Sequence, residues 1–460
     1  MVRQALWHCV RYLKLGVLRA AHELLLVRLR VEAWLAAPGK PSRPPRIAAT
    51  ACWTFPIYSQ TFVHQEVLAL AQAGFTLRFL YAQPGPRAEL AHSCAALWPL
   101  KRRVLLHAAT GALDLARFRR RMPGKVEALI RLVATASGVR PEELERHEHF
   151  LHAFSFARAV EAWGADYLHS YFFYEQTLFA LVASQLLGIP RGVSCYADHV
   201  LQDYPLKLVP LHLQSCAVIV ATSRRIRAEL ETLHGGELDA LLVKPNTIDT
   251  STFSVKGQQA RAAGESLRLL CVSRIDPKKG IEYLIDAVRL LMDRGLAVEA
   301  HIVGAANRHS PESLEYDNAL RARVAGLGLD NAIHFEGVRG SREIRLYLER
   351  AHVFVAPFVE LPSGDKDGIP TSVLEAMAAG CAIVATSAGS TGEVMDDGRE
   401  GLIVPQRDVQ ALAAAVERLV RDEELAARLG TGAAGRARRE YDIATSEAAF
   451  HDRVDRKSVV

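Results

Sequence analysis

The chain has 460 residues, half of them hydrophobic and 23% charged. That balance excludes a disordered or collagenous protein, and the length calls for about two to three domains rather than one core. A formal net charge of +5 is small for this length and makes no case for a nucleic-acid partner. The seven cysteines, Cys9, Cys52, Cys94, Cys195, Cys216, Cys271 and Cys381, are scattered and form no C-x-x-C pair. They read as reduced, buried small hydrophobes of a cytoplasmic protein, and no zinc-ligand cluster is present.

Residues 1–37 repeat apolar side chains at helical spacing: Leu6, Val10, Leu13, Val17, Ala20, Leu24, Val27, Val31 and Trp34. Six basic residues flank this stripe against two acidic ones, Glu23 and Glu32. Such a helix can lie on an anionic membrane surface at the inner face of the cytoplasmic membrane, or dock on its own protein or a second subunit. It lacks the apolar core and cleavage site of a signal peptide, and no later run predicts a membrane span. A proline-rich linker, Pro38–Arg46, follows.

From residue 46 strands and helices alternate, which predicts parallel sheets in a doubly wound fold. The expected strands begin with RIAATACWTF and continue through TLRFLYA, DYLHSYFF, GVSCYA and AVIVAT. The polar segment Ser254–Ser266 reads as a linker, and a second alternating series follows from SLRLLCVSR onward. The expected organisation is therefore an N-terminal helix and linker at 1–45 and an α/β domain at 46–253. A linker at 254–266, a second α/β domain at 267–435, and a C-terminal helix at 436–460 returning to the first domain complete it. Open α/β sheets bind ligands outside the carboxyl ends of their strands, so two such domains suit a donor and an acceptor meeting across a cleft.

Two segments carry chemistry. In Val272–Val288 a buried strand ends at Ser273 and a helix begins near Gly280, with Arg274 and Lys279 at the junction. Two cations beside a helix N-terminus can neutralise a diphosphate; a solvated turn is the plainer alternative. In Phe358–Thr386 a loop containing Asp367 leads into a helix that starts near Pro370 or Thr371 and ends at Gly380. The N–H groups around Gly368, Ile369, Pro370, Thr371 and Ser372 are placed to bind an anion, except at proline. Asp367 can accept bonds from sugar hydroxyls. Glu375, eight positions later in an apolar helix, can accept both hydroxyls of a ribose, because a carboxylate only accepts. The plainer alternatives are a helix cap and a surface residue.

The pair Asp367 and Glu375 resembles the E-x7-E signature of the group 1 (family 4) retaining glycosyltransferases with the GT-B fold, of two Rossmann-like domains. Arg274 and Lys279 match that family's basic turn. PNTIDTSTF (Pro245–Phe253), HFEGV (His334–Val338) and Thr391–Asp408 match further segments in order. FPIYSQTFVHQEVLALAQAG and ADYLHSYFF are similar to the colanic-acid and exopolysaccharide branch. There the resemblance implies that Ser59 and Thr61 lie near the donor phosphates, and His169 near the cleft. Three departures stand out: Asp367 replaces a glutamate, Thr247 replaces a glycine, and SCYADH puts Asp198 where the family has histidine, with His199 next. Asp198 or His199 would face the sugar or acceptor.

What the resemblance implies is transfer of a hexose, with retention, from a UDP- or GDP-sugar to a glycan or lipid-linked acceptor. Arg274 and Lys279 would carry the diphosphate charge, so no metal or other cofactor is expected. The rival expectations are a sugar phosphorylase or epimerase on the same fold, and a catalytically silent sugar-nucleotide-binding scaffold.

Overall fold

The structure, a computed structural model, describes residues 2–36, 44–50, 54–55, 57, 60–84, 95–196, 206–255 and 265–458, with side chains from Leu13 onward. Ser59, Asp198, His199, Cys52, Cys94, most of the proline-rich linker and most of the Ser254–Ser266 segment lie outside the described residues.

Contacts divide the chain into two compact units. The first comprises Met1–Ala221, Ile226–Val243 and Ala448–Val460. Its sheet runs Lys101–Arg103, Thr76–Tyr81, Arg46–Thr50, Tyr167–Tyr171, Arg191–Cys195, Val218–Ala221 and Leu241–Val243, with every pairing parallel. Tyr167–Tyr171 and Arg191–Cys195 are buried at every position. Strands covered by helices on both faces read as continuous apolar runs rather than alternating ones. The helix Glu148–Trp163 is buried along most of its length. It ends in Trp163, whose indole N–H donates to the Ile47 carbonyl at 3.2 Å. The last helix, Ala448–Ser458, belongs to this unit and packs Phe450 against His169.

The N-terminal helix is continuous over Val2–Leu35. It docks on the unit's own core through His22, Leu26, Leu29 and Ala33. His22 Nε2 lies 3.0 Å from Asp114 Oδ2. Glu32 accepts from Arg78 and Arg102, and Glu23 from Arg158. The apolar stripe read from the sequence is a different face, and from Leu13 to Trp34 it is left exposed. Among the described residues no helix is long and apolar enough to cross a membrane.

The second unit comprises Thr222–Arg225 and Lys244–Glu447. Its parallel sheet runs Ile333–Gly337, Val298–Val303, Leu267–Val272, Val353–Ala356, Ala382–Thr386 and Leu402–Val404. In chain order that is 3-2-1-4-5-6, the Rossmann arrangement, whose order reverses between Leu267–Val272 and Val353–Ala356. The unit boundary differs from the expected 253/254. Residues 244–253 group with the second unit because Lys244 pairs with Glu447 at 2.8 Å and Ile248 bridges Asp442. Thr247, where the resemblance expects glycine, donates its hydroxyl to the same Glu447 at 2.8 Å.

Cys195, Cys216, Cys271 and Cys381 are buried. Burial raises the Cys271 thiol to about 11, which keeps it protonated and unreactive at neutral pH.

Candidate active site

The candidate residues gather at the carboxyl end of the second unit's sheet, at the point where its strand order reverses. Leu267–Val272 is followed by Ser273 and Arg274, and then by a tight turn, Pro277–Lys279. The Asp276 carboxylate holds that turn by accepting from Lys278 N–H at 3.3 Å. Gly280 then enters the helix Ile281–Asp293 at φ +56. A Cβ at Gly280 would stand 2.1 Å from the Pro357 carbonyl. Only glycine lets the turn press against the loop that follows Val353–Ala356.

That packing brings Lys279 to Asp367. Lys279 Nζ donates to Asp367 Oδ2 and lies 4.4 Å from the centre of the Phe358 ring. Lys278, which sequence reasoning passed over, points the same way. Its Nζ lies 2.9 Å from Asp365 Oδ1 and 3.9 Å from Asp367 Oδ1. Burial pushes the Asp367 carboxyl up, but Lys279, Lys278 and Arg274 outweigh it and hold the group below its ordinary value. Arg274 is more open and sits 4.0 Å from Asp276 Oδ2.

Asp367–Ile369 is clamped from behind. The Arg225 guanidinium donates to the Asp367 carbonyl at 3.1 Å, and the Asn246 amide donates to the Ile369 carbonyl at 2.7 Å. Gly389, at φ +58, lies so close that a Cβ there would stand 2.2 Å from the Asp367 carbonyl. Asn246 belongs to the PNT segment, so that motif's place in this structure is to hold the loop. Asn246→Ala would leave the buried Ile369 carbonyl without this donor, at a cost of about 1–3 kcal/mol. The thermal midpoint is expected to fall accordingly, as a calorimetric melt of the variant beside the wild type would show.

The helix Thr371–Ala378 follows, and its N-terminus has no side-chain cap. Val373 and Leu374 N–H both turn back to the Pro370 carbonyl. The N–H groups of Gly368, Ile369, Thr371 and Ser372 find no acceptor among the described residues. A helix end left in this state favours an anion. One turn in, Glu375 is half-buried, and its carboxylate accepts no hydrogen bond or ion pair among the described residues. Burial raises its carboxyl to about 7, against a smaller lowering by Arg345.

The second unit thus brings Ser273, Arg274, Lys279, Asp367, Gly368, Ile369, Pro370, Thr371 and Glu375 to one end of one sheet. The arrangement offers cations and free N–H groups to an anion, and an unoccupied carboxylate to a pair of hydroxyls.

The first unit's candidates are placed differently. Thr61 is the first residue of the helix Thr61–Gln72, and Gln60 ahead of it makes no side-chain cap. His169 is fully buried. Its Nε2 is 2.8 Å from Ser194 Oγ and its Nδ1 3.2 Å from Tyr167 Oη. Glu66, also buried, lies 3.7 Å from His169 and accepts from Tyr196 at 2.6 Å. His169 is therefore a hydrogen-bonded core histidine and not an open ligand group. The i,i+5 step from Thr61 to Glu66 carries no sequence signal of this network, which forms only when helix and strands pack.

Residues 266–422 match the family described as glycosyl transferases group 1. Over 376 residues the chain is 27% identical to a protein of Salmonella typhimurium named as a colanic acid biosynthesis glycosyltransferase, WcaL. That match covers 78% of this chain and 87% of the relative. The amylovoran biosynthesis glycosyltransferase AmsK of Erwinia amylovora is 28% identical over 51% of this chain and 54% of its own length. Among solved structures, Anabaena Alr3699/HepE in complex with UDP-glucose superposes with a TM-score of 0.65 at 15% identity, covering 88% of this chain and 98% of that one. Sucrose-phosphate synthase of Thermosynechococcus elongatus gives 0.62 at 19% identity, covering 89% and 98%. These two likenesses bear on the fold. The chain is a GT-B protein, and its residues 266–422 are a group 1 glycosyltransferase domain.

Proposed function

We propose that the chain is a retaining glycosyltransferase that moves a hexose from a UDP- or GDP-sugar to a glycan or lipid-linked acceptor in exopolysaccharide assembly. The observation that carries this reading is the Lys279–Asp367 pair beside an uncapped helix N-terminus, with Glu375 unpaired one turn further on. Arg274, Lys279 and the free N–H groups from Gly368 to Ser372 would take the diphosphate and stabilise the charge it gains as the glycosidic bond breaks. Glu375 would accept the ribose hydroxyls, and Asp367 would accept from the sugar. Thr61, with Ser59, Asp198 and His199, stays assigned to the donor phosphates and the acceptor by resemblance alone. The relatives named for colanic acid and amylovoran biosynthesis support the exopolysaccharide setting, and the UDP-glucose complex of a fold neighbour supports a nucleotide-sugar donor.

This reading needs no metal, because the basic residues already supply the counter-charge; turnover undiminished in EDTA checks it. It places the enzyme in the cytoplasm. The test of the reaction is proton NMR of the product formed from a panel of UDP- and GDP-hexoses. The anomeric configuration of the donor should persist in the product. An inverted product would overturn the retaining assignment, phosphate-dependent turnover would make the protein a phosphorylase, and binding without turnover would make it a silent scaffold.

A further inference from the structure

The N-terminal helix has two apolar faces, and the protein covers one of them. At 3.6 residues per turn, His22, Leu26, Leu29 and Ala33 share a face, and that face is buried in the first unit. Leu13, Val17, Leu24, Val27, Val31 and Trp34 share another, about half a turn away. They are exposed, Leu13 by 69%, Leu24 by 70% and Trp34 by 76%. Over Leu13–Leu35 this stripe is about 33 Å long, far more than a scatter of single surface hydrophobics requires.

Cations border it on both sides. On the helical projection Arg19 and Arg30 flank one edge, and Lys14 and Arg28 the other; all four are exposed. Lys14, Arg19 and Arg30 pair with nothing among the described residues, and Arg28 reaches Glu32 while staying 63% open. The helix's two acids are both engaged, although Glu23 lies at the edge of the stripe and stays 43% open. Glu23 is held by Arg158, and Glu32 by Arg78 and Arg102. A helix with an apolar stripe, basic borders, no free acid and a tryptophan near its end has the chemistry of an interfacial helix, which lies in the headgroup layer without crossing.

We propose that this face docks the protein flat on an anionic lipid surface, with the first unit fixed to the opposite side of the same helix. A second copy of the chain suits the face poorly. A two-fold contact through the stripe would set identical basic borders against each other. The proposal does not depend on the enzymatic reading, since binding is read without donor or acceptor.

The test is cosedimentation of the full-length protein with vesicles of phosphatidylcholine alone or mixed with phosphatidylglycerol, beside light scattering for mass. The wild type should partition onto the mixed vesicles and far less onto the neutral ones, with binding weakened by salt. Leu24→Asp/Val31→Asp, both at exposed positions, should keep the melting temperature and lose vesicle binding. Arg19→Gln/Arg30→Gln should weaken partition to anionic vesicles by about 25-fold, at about five-fold per cation removed. Failure of the wild type to bind anionic vesicles overturns the proposal. So does a dimer that the Asp pair dissociates while vesicles are ignored, which would assign the face to a second copy.

Discussion

Lys279→Ala is expected to lower kcat/KM by about 10²–10³, the scale of removing one preorganised group that meets developing negative charge. The loss has two parts. The cation itself goes, and Asp367 is left buried with Lys278 at 3.9 Å as its nearest remaining ammonium. Without Lys279 the burial that already pushes Asp367 upward is opposed by less, and the carboxyl moves back toward protonation. Breaking a buried pair in this way also costs stability, about 3–5 kcal/mol where the pair is fully desolvated and less for one partly open as here. A fall in activity could then be blamed on unfolding, and a double variant separates the two effects. Lys279→Met/Asp367→Asn removes both charges at similar volume and should recover most of the thermal midpoint while leaving turnover as low as in Lys279→Ala. Recovery of turnover together with stability would show that the pair is only structural.

At Glu375 the expected effects on binding and on stability have opposite signs. Its carboxyl is raised to about 7 in the folded protein from an ordinary value of 4.5. A raised acid contributes nothing below the unfolded value, where both states are protonated. Between about pH 4.5 and 7 the unfolded state ionises first, so the folded state loses relative stability, and above pH 7 the deficit is constant. Glu375→Gln removes that deficit. Its thermal midpoint should exceed the wild type at pH 8, and the gap should close as the pH falls toward 4.5. Donor binding should run the other way. The ionised carboxylate is the better acceptor for two hydroxyls, so wild-type affinity for the donor should rise with pH through about 7. The glutamine variant should bind more weakly at pH 8 and lose that pH dependence. Calorimetric titration at pH 6 and pH 8, beside a melting series, reads both effects. A wild type whose affinity is flat across this range would remove Glu375 from the hydroxyl-binding role.

Much of the candidate site is legible in the sequence because it is local. The interval from Asp367 to Glu375, Pro370 before the helix and Gly380 after it lie within fourteen residues, and each acts through its own backbone neighbourhood. The match of the basic turn to the same sheet end follows from strand order alone. Three features were not legible, and each depends on distant packing. Lys278 and Lys279 are indistinguishable as letters, and the turn geometry aims both at the Asp365–Asp367 loop. Asn246 and Arg225 hold that loop across separations of 123 and 142 residues. The buried face of the first helix was hidden by His22, a polar residue that becomes part of the core only because Asp114 stands opposite it. From Leu13 to Trp34 the exposed stripe is legible in the sequence, but periodicity reports a face and not what covers it.

The central claim is that Arg274, Lys279 and the free N–H groups before Glu375 form a diphosphate site. Isothermal titration of UDP and GDP into the wild type and into Arg274→Ala/Lys279→Ala tests it most directly, because it needs neither the sugar nor the acceptor. At least one nucleotide should bind the wild type, with affinity falling by about tenfold or more in the double variant, since each charge-assisted bond is worth about 1.5–3 kcal/mol. Equal affinity for the two proteins would contradict the account.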